Sequence, residues 1–378
     1  MGKYKAIMKI PSMILLLFSL TLLAFTGMVF NSIPGEISIF ADETKVINLP
    51  LKEVTINVLP EIKVIPGGQT VGVKMDVKGV LVVGLEEITS EDNKKINPGL
   101  SAGLEIGDSI LAINNRPVDS HEEVKAALNS QKGRIVLKVS RRGEIHYIGI
   151  TPVKAKADGL YKIGVWVRDK TAGLGTLTFY DPVSGYFGAL GHAITDPDTG
   201  DVLRVKKGEL LSASVESVKQ GASGAPGEIR GVFYEEDEPL GQLAANTDYG
   251  IFGTFYTNLS NPIYADPISI GYQNQIKVGP AWLLTTVDGK KMERYEINID
   301  KINRQIKPNT KGMVISVTDP RLIKKTGGIV QGMSGSPIIQ NGRLIGAVTH
   351  VLVNDPLKGY AIFIEWMLQE TVPLSKVG

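Results

Sequence analysis

One run of the sequence restricts the fold more than any other. The hexapeptide Gly332-Met333-Ser334-Gly335-Ser336-Pro337 precedes the apolar pair Ile338-Ile339, an Asn341-Gly342 pair and the apolar segment 344–348. Asn-Gly between two apolar runs is a strong local signal for a β-hairpin. The two glycines of the hexapeptide permit a turn in which successive N–H groups point to one spot beside the serine. The run therefore predicts a tight turn that leads directly into an antiparallel hairpin.

Ser334 in this turn is the best candidate nucleophile. A serine hydroxyl needs a base to remove its proton, and it needs donors that receive the charge developing on the attacked carbonyl. Turn, strand, hairpin and strand in this order resemble the nucleophile region of chymotrypsin-like serine peptidases, whose pattern is Gly-x-Ser-Gly-Gly-Pro. Ser336 replaces the last glycine of that pattern. We expect the backbone N–H groups of Gly332 and Ser334 to form the oxyanion hole.

The composition favours a β-rich protein with many turns. The 378 residues, enough for two or three domains, include 42 glycines and 20 prolines. The 41 basic and 39 acidic side chains almost cancel, so nothing suggests a nucleic acid as a partner. Cysteine is absent, which excludes disulfides, thiol catalysis and cysteine-ligated metals. Because the sequence also lacks a His-Glu-x-x-His motif, we expect neither a metal site nor a cofactor.

The N-terminus carries a candidate membrane segment. Residues 12–30 form an uncharged, mostly apolar run that is long enough to span a bilayer as a helix. The lysines within residues 1–9 keep the start of the chain in the cytoplasm by the positive-inside rule. We therefore expect a signal-anchor that leaves the protein membrane-anchored and extracytoplasmic. A cleaved signal peptide, which would give a secreted protein, is the alternative, because residues 26–27 and 31–32 offer cleavage positions.

The chain divides into four predicted segments. The membrane segment covers residues 1–31, and a linker follows at 32–68, where Pro66-Gly67-Gly68 closes it with a turn signal. Residues 69–153 form a compact module of short strands and one short helix. Residues 154–378 contain short strands almost throughout, and a segment of this kind without helical crossovers suits a double β-barrel. The fold is therefore expected to be mainly β.

The module resembles a PDZ domain of the bacterial protease-associated type. The resemblance rests on Gly99–Val118, which reads GLSAGLEIGDSILAINNRPV. It implies a loop whose amides bind a terminal carboxylate, formed by Gly79, Val80, Leu81, Val82, Val83 and Gly84. An extended peptide or C-terminus would then add as a strand beside Leu81–Val83. The alternative is that this groove packs only against a neighbouring domain or an internal segment.

His192 is the best candidate for the general base. It follows the strand-like segment 186–191 and precedes a turn of small residues. Imidazole titrates near neutrality, so His192 could take the proton of Ser334 and return it to the leaving amine. Histidine before serine is the chymotrypsin-like order, whereas the α/β-hydrolase order would need His350.

The other histidines have weaker claims. We expect His350 to wall the substrate groove beside Thr349, with a role as general base as the minority alternative. His121 and His146 lie in the module and are expected to be solvated.

The residue pattern alone leaves the third catalytic residue open. Asp319 is one candidate for the carboxylate that orients the imidazole. Asp248 is another, and its position between His192 and Ser334 fits chymotrypsin-like spacing better. The acids expected to be loop carboxylates near the histidine are Asp196 and Asp198.

A second Gly-x-Ser-Gly-x-Pro run at Gly221–Pro226 offers Ser223 as an alternative nucleophile. It echoes the first run, but no strand, Asn-Gly hairpin and strand follow it. Ser334 is therefore the better candidate. The stretch around Gly327-Gly328 carries no charge, which favours small or apolar residues before the cleaved bond.

The membrane segment, the PDZ-like run and two motifs together resemble the stage IV sporulation protein B family, the S55 serine peptidases of endospore formers. The motifs are GHAITD at 191–196 and GMSGSPIIQNGRLIGAVTHVLVNDP at 332–356. The resemblance implies a chymotrypsin-like fold of the PA clan and a serine endopeptidase. Carried over by motif, the catalytic residues are His192, Asp319 and Ser334. The short separation between Asp319 and Ser334 is unlike chymotrypsin and keeps Asp248 open.

The same resemblance implies a role and partners. Family members act as signalling proteases in the space between the forespore and mother-cell membranes. Their protein substrate is the regulatory subunit of a membrane metalloprotease complex, which then activates the late mother-cell sigma factor. They also cleave themselves near the N-terminus, which we expect within residues 32–68, and the PDZ domain restrains or directs that event.

Two other functions stay open at the level of sequence. One is a non-catalytic envelope scaffold that carries a PDZ domain and a degenerate peptidase fold. The other is an envelope quality-control protease of the HtrA type. That type places its PDZ domain after the peptidase domain, whereas here the PDZ-like run comes before it.

Overall fold

The structure, a computed structural model, describes residues 18–28, 36–40, 55–59, 61–130, 133–233, 238–256 and 261–371. It divides into two compact units, residues 1–62 and 63–378. In the first unit, helix α1 spans residues 18–28. Strands β1 (Glu36–Phe40) and β2 (Thr55–Leu59) pair in parallel.

The expected membrane segment overlaps α1 only in part. It covers residues 12–30, so both of its ends lie outside the described residues, as does much of the expected linker. The side chains of Phe18, Leu22, Leu23 and Phe25 are exposed along α1. Within the described part of the chain, no helix combines the length and the apolar character needed to cross a bilayer.

The second unit contains all the remaining elements. Its strands as far as residue 269 are β3 (Lys63–Pro66), β4 (Thr70–Leu85), β5 (Ile88–Thr89), β6 (Lys95–Ile96), β7 (Ser109–Ile113), β8 (Arg116–Pro117), β9 (Ile135–Arg141), β10 (Glu144–Ile150), β11 (Val153–Lys154), β12 (Tyr161–Lys162), β13 (Val165–Tyr180), β14 (Tyr186–Ala189), β15 (Val205–Ser212), β16 (Ser214–Lys219), β17 (Glu228–Val232), β18 (Gly241–Thr247), β19 (Gly250–Phe255) and β20 (Ile268–Ser269). The later strands are β21 (Gly279–Thr286), β22 (Met292–Ile302), β23 (Met313–Val317), β24 (Pro337–Gln340), β25 (Arg343–Leu352) and β26 (Asp355–Phe363). The helices are α2 (Pro98–Ser101), α3 (His121–Ser130), α4 (Pro320–Thr326) and α5 (Ile364–Gln369).

The first barrel is closed by the path β4-β15-β18-β19-β14-β13, which returns to β4. Within β4, every second residue from Val71 to Val77 is buried, as expected for a strand with one face on a barrel interior. The core of this barrel includes Val71, Val73, Leu177, Phe187, Leu210, Leu243 and Ile251.

A smaller body is inserted into this barrel between β4 and β13, and we call residues 78–164 the inserted module. β4 runs on past Val77 and pairs with β7 at Val80–Leu81, while β13 begins at Val165 opposite Leu85. Each of these two strands is 16 residues long, so one end belongs to the module and the other to the barrel. The core of the module includes Val80, Val82, Ile110, Val124, Leu128, Leu137 and Val139.

The insertion shifts the boundaries that the sequence suggests. The sequence places residues 70–77 in the module, but their pairing with β13 and β15 makes them a strand of the first barrel. The expected boundary at residue 153 also falls inside the inserted module, because the chain rejoins the barrel along β13. Local patterns do not reveal this division, since alternation continues unbroken along a strand that changes partners.

The segment Gly79–Gly84 lies within β4 and not in a loop. On one edge, Val80 and Leu81 pair with β7. On the other edge, the end of β4 pairs with Val165–Arg168 of β13. The edge predicted to accept a peptide beside Leu81–Val83 is therefore occupied by the chain itself, and an internal segment fills the groove.

The second barrel is closed by β21-β22-β23-β26-β25-β24. The predicted hairpin joins β24 to β25. Asn341 and Gly342 have φ of +52° and +75°, as the two central residues of a type I′ turn require. The expectation of a mainly β, double-barrel protein is thereby confirmed.

Candidate active site

The nucleophile turn lies at the seam between the two barrels. Gly332 and Gly335 have φ of +95° and +91°, a region that side chains rarely adopt. A Cβ at Gly335 would also lie 2.1 Å from the carbonyl oxygen of Thr176 and 2.4 Å from the N atom of Leu190. Glycine at 335 is thus required both by backbone conformation and by the close approach of the first barrel.

Ser334 is half-buried at the tip of this turn, and its Oγ donates a hydrogen bond to Thr349 O at 2.9 Å. Among the described residues, no carbonyl accepts a hydrogen bond from the N–H of Gly332 or of Ser334. Two free backbone donors beside a serine hydroxyl are what an oxyanion hole needs. The predicted oxyanion residues therefore have donors available for a substrate carbonyl.

His192 follows β14 through a sharp change of backbone direction. Leu190 and Gly191 have φ of +69° and +70°, and these two successive left-handed residues turn the chain out of the strand. The ring Nδ1 lies 2.8 Å from Ala193 O. A donor at Nδ1 leaves Nε2 as the proton acceptor, and burial lowers the pKa of His192, so the ring is neutral near pH 7. This is the protonation state of a general base.

The structure brings His192 and Ser334 into one cleft of about 850 Å³. The first barrel contributes the middle of β13 and the loop that carries His192, and the second barrel contributes the nucleophile turn and β25. The walls also include Ile329, Val330 and Val351, which are apolar. His192 of the first barrel and Ser334 of the second thus line the same cleft, while each is hydrogen-bonded to a backbone carbonyl, Ala193 O and Thr349 O respectively.

His350 stands beside His192 in this cleft, with ring centroids 5.2 Å apart and a tilt of 38°. Desolvation, together with the nearby His192 and Lys311, lowers the pKa of His350 to about 4. The expected role of His350 as a wall of the groove agrees with this position on β25.

Asp319 lies away from the cleft, at the N-terminus of α4. Its carboxylate accepts hydrogen bonds from the N–H groups of Arg321 (2.9 Å) and Glu296 (3.2 Å), and it pairs with the Arg321 guanidinium at 2.8 Å. The hydrogen bond from the Arg321 side chain holds the pKa of Asp319 down at about 2. Asp319 is thus a helix cap, and the structure does not bring it to His192 as the family motif implies.

Asp248, the alternative, lines the cleft together with His192. It lies in the turn between β18 and β19, the last two strands of the first barrel, and it is exposed. Burial raises the pKa of Tyr249, and the carboxylates of Asp248 and Glu370 raise it further. The geometry therefore favours Asp248 over Asp319 as the acid nearest the catalytic cleft.

The remaining candidates take structural positions. Asp196 is buried and Asp198 exposed, and both pair with Arg168 of β13, so they stay loop carboxylates as expected. Ser223 donates to Asn354 O at 2.9 Å and does not line the cleft. The loop Gly221–Pro226 instead packs on the second barrel, where Gly221 N–H donates to Thr326 O.

In the described part of the chain, one group of three side chains has the spacing of metal ligands: His121, Glu122 and Asp169. These groups are already paired with one another, with His121 Nδ1 at 2.9 Å from Asp169 and Nε2 at 3.1 Å from Glu122. Asp169 also accepts a hydrogen bond from the first N–H of α3. His121 is therefore bound to the barrel strand and not merely solvated.

Two six-stranded barrels with His192 and Ser334 facing a shared cleft define a chymotrypsin-like serine peptidase. The model of one family, described as SpoIVB peptidase S55, matches residues 159–368. The chain belongs to this family and is a serine peptidase.

Other relatives are more distant. A candidate zinc metalloprotease of Lactococcus lactis subsp. lactis strain IL1403, LL2128, is 32% identical over 103 residues, which are 27% of this chain and 22% of that protein. The Rv3671c protease of M. tuberculosis in its active form is similar over 53% of this chain and 73% of its own, with 15% identity and a TM-score of 0.31. The HtrA-type protease AlgW with a decapeptide is similar over 55% of both chains, with 15% identity and a TM-score of 0.31.

Proposed function

We propose that this protein is a sporulation signalling endopeptidase that works through an acyl-enzyme. The observation that carries the proposal is that His192 of the first barrel and Ser334 of the second line one cleft. Membership of the SpoIVB peptidase S55 family supports the signalling role.

The chemistry follows from the protonation states in the cleft. Ser334 Oγ attacks the substrate carbonyl while Nε2 of His192 accepts its proton, and the N–H groups of Gly332 and Ser334 bind the oxyanion. The same proton then passes from His192 to the leaving amine, and water releases the acyl group in a second round.

Asp248 is the proposed third residue of this mechanism. In the resting arrangement, His192 Nδ1 faces Ala193 O and Ser334 faces Thr349 O. In the proposed reactive arrangement both of these bonds are broken, Nδ1 donates to the Asp248 carboxylate and Nε2 accepts from the serine hydroxyl. A negative charge beside Nδ1 then stabilises the imidazolium that forms during attack.

The proposed substrates are the regulatory subunit of a membrane metalloprotease complex and the chain itself within residues 32–68. The apolar walls at Ile329, Val330 and Val351 support a preference for apolar residues before the cleaved bond. The exposed apolar side chains of α1 support anchoring in a membrane. The proposed location is the space between the forespore and mother-cell membranes.

The inserted module is the proposed PDZ domain. Its groove between β4 and α3 holds Val165–Arg168, so a peptide partner would have to displace this part of β13. This arrangement supports a regulatory use of the groove more than permanent peptide recruitment.

A fluorophosphonate probe tests the nucleophile in the full-length protein. We expect the wild-type protein and Ser223→Ala to be labelled, and Ser334→Ala and His192→Ala to lose labelling. A folded wild-type protein without labelling would support the scaffold alternative, and loss of labelling in Ser223→Ala alone would overturn the assignment of Ser334.

A digestion assay tests the range of substrates. Digestion of casein without a dedicated partner would favour the HtrA-type alternative, whereas cleavage confined to residues 32–68 would favour signalling.

A further inference from the structure

Thr176, on β13 of the first barrel, contacts both loops that carry the catalytic side chains. Its hydroxyl donates to Gly332 O at 2.8 Å. Its N–H donates to Ser334 O at 3.0 Å, and its carbonyl accepts from Leu190 N–H at 3.2 Å. Leu190 is two residues before His192. A single buried threonine therefore connects the histidine loop to the nucleophile turn.

The carbonyls that Thr176 holds belong to Gly332 and Ser334, the two predicted oxyanion residues, and both residues line the cleft. Gly332 has no side chain, and its φ of +95° lies where glycine moves freely, so its peptide planes can rotate at low cost. The Gly332 carbonyl shares its peptide plane with Met333 N, and this plane lies between the two planes that carry the N–H groups of Gly332 and Ser334. A hydrogen bond to the carbonyl fixes this middle plane and so restricts rotation of the two donor planes that flank it. Oxyanion donors act best when they are fixed before the reaction begins.

A second hydroxyl lies beneath the same turn. Ser336, which replaces a glycine of the chymotrypsin-like pattern, is fully buried. Its Oγ lies 3.0 Å from the hydroxyl of Thr285 and 3.5 Å from that of Thr176. The extra hydroxyl at 336 thus has polar partners on strands of both barrels, which accounts for the departure from the pattern.

We propose that Thr176 is a positioning residue of the peptidase reaction, whose hydroxyl fixes the peptide plane between the two oxyanion donors. The role rests on the proposed acyl-enzyme mechanism. Thr176 does not touch the substrate. It acts through the backbone of Gly332 and Ser334. Through its bond to Leu190 N–H it also fixes the position of this backbone relative to the histidine loop.

The test compares isosteric variants of the full-length protein with a fluorophosphonate probe. Thr176→Val keeps the shape and the backbone bonds but removes the hydroxyl, and Thr176→Ser restores it. Thr286→Val is the matched control, because its buried hydroxyl also donates to a glycine carbonyl, Gly68 O at 2.9 Å, on another part of the seam. The labelling rate is measured over a range of probe concentrations, and unfolding in urea gives the stability of each variant.

We expect Thr176→Val to lower the maximal labelling rate about tenfold or more, with the half-saturating probe concentration unchanged. Thr176→Ser should label at nearly the wild-type rate, and Thr286→Val should lose stability but not labelling. A wild-type rate in Thr176→Val, or an equal loss in Thr286→Val, overturns the positioning role. A folded wild-type protein that is never labelled overturns the peptidase mechanism and this role with it.

Discussion

At the scale of single residues, the structure separates the two acids considered for the third catalytic role. Asp319 caps α4 and pairs with Arg321, whereas Asp248 lines the cleft together with His192.

The two acids can be separated by a matched pair of substitutions. We expect Asp248→Asn to lower the rate of fluorophosphonate labelling about 10³-fold, because an amide cannot stabilise the imidazolium of His192. Asp319→Asn should label normally and lose about 1 kcal/mol of stability in urea, because it gives up the ionic bond to Arg321. The reverse result would return Asp319 to the catalytic set.

Asp319 also predicts a dependence of stability on pH. Its pKa is about 2 in the folded chain, and an unperturbed aspartate has a pKa of about 4. Since the folded value is the lower one, the stabilisation is complete above about pH 4 and is lost as the pH falls through about 2. The free energy of unfolding, measured with urea, should therefore fall more between pH 5 and pH 2 in the wild type than in Asp319→Asn.

His350 predicts a second pH effect in a different window. Its pKa falls from about 6.5 unfolded to about 4 folded, through desolvation and the nearby His192 and Lys311. Stability is therefore retained above about pH 6.5 and declines as the pH falls towards about 4. The free energy of unfolding should drop less between pH 7.5 and 5 in His350→Asn than in the wild type. Equal drops would show that His350 does not titrate in this way.

The candidate site is predictable from sequence where a residue's function depends on its local backbone. Ser334 and His192 can be identified because a nucleophile and its base need a glycine turn and a strand end. Asp319 is harder to interpret, because an aspartate before proline at a helix start looks the same whether it caps the helix or orients a histidine. Thr176 gives no local signal, since its role depends on contacts with a turn more than 150 residues away along the chain.

At the scale of elements, the second glycine-serine run, Gly221–Pro226, belongs to a hairpin that supports the nucleophile turn, and we call this hairpin the brace. The hairpin of β16 and β17 carries it, and Ile229 N–H donates to Gln331 O while Gln331 N–H donates to Gly227 O, each within 3 Å. Gln331 directly precedes the oxyanion residue Gly332. The hairpin therefore supports the nucleophile turn from outside the cleft, although the run in its loop resembles a nucleophile motif.

Gly227 is the residue of this brace that tolerates least change. A Cβ there would lie 2.4 Å from both Gly221 N and Lys219 O. We expect Gly227→Ala to separate β17 from Gln331, to cost about 1–3 kcal/mol of stability and to slow labelling. Gly173→Ala is the control for stability, because a Cβ at that strand position meets no neighbour within 4 Å. Normal stability and labelling of Gly227→Ala would mean that the hairpin does not brace the turn.

The elements themselves were only partly predictable. The β24–β25 hairpin follows from Asn341-Gly342, because a two-residue turn needs left-handed residues that few sequences supply. That the groove of the module is occupied by β13 could not be predicted, because the pairing of Leu81 with Arg168 joins segments more than 80 residues apart. Nothing local in Leu81–Val83 shows that its edge is already taken.

At the scale of the whole molecule, the first barrel cannot form without the strand that precedes the module. The region matched by the family model, residues 159–368, lacks Thr70–Val77, which lies between β13 and β15. We expect residues 154–371 expressed alone to be unfolded or aggregated, and residues 63–371 to fold and react with the probe. Far-UV circular dichroism and labelling of the two fragments decide this. A folded, reactive 154–371 fragment would contradict the insertion.

The insertion has a further consequence for proteolysis. A cut in an exposed turn of the inserted module, such as Arg142-Gly143 between β9 and β10, leaves both pieces wound into one barrel. Such a protein would run as two bands on a denaturing gel and yet elute from a sizing column as a single species. Apparent breakdown products in a preparation would then be fully assembled enzyme, and band intensity would be a poor guide to how much of it can still react.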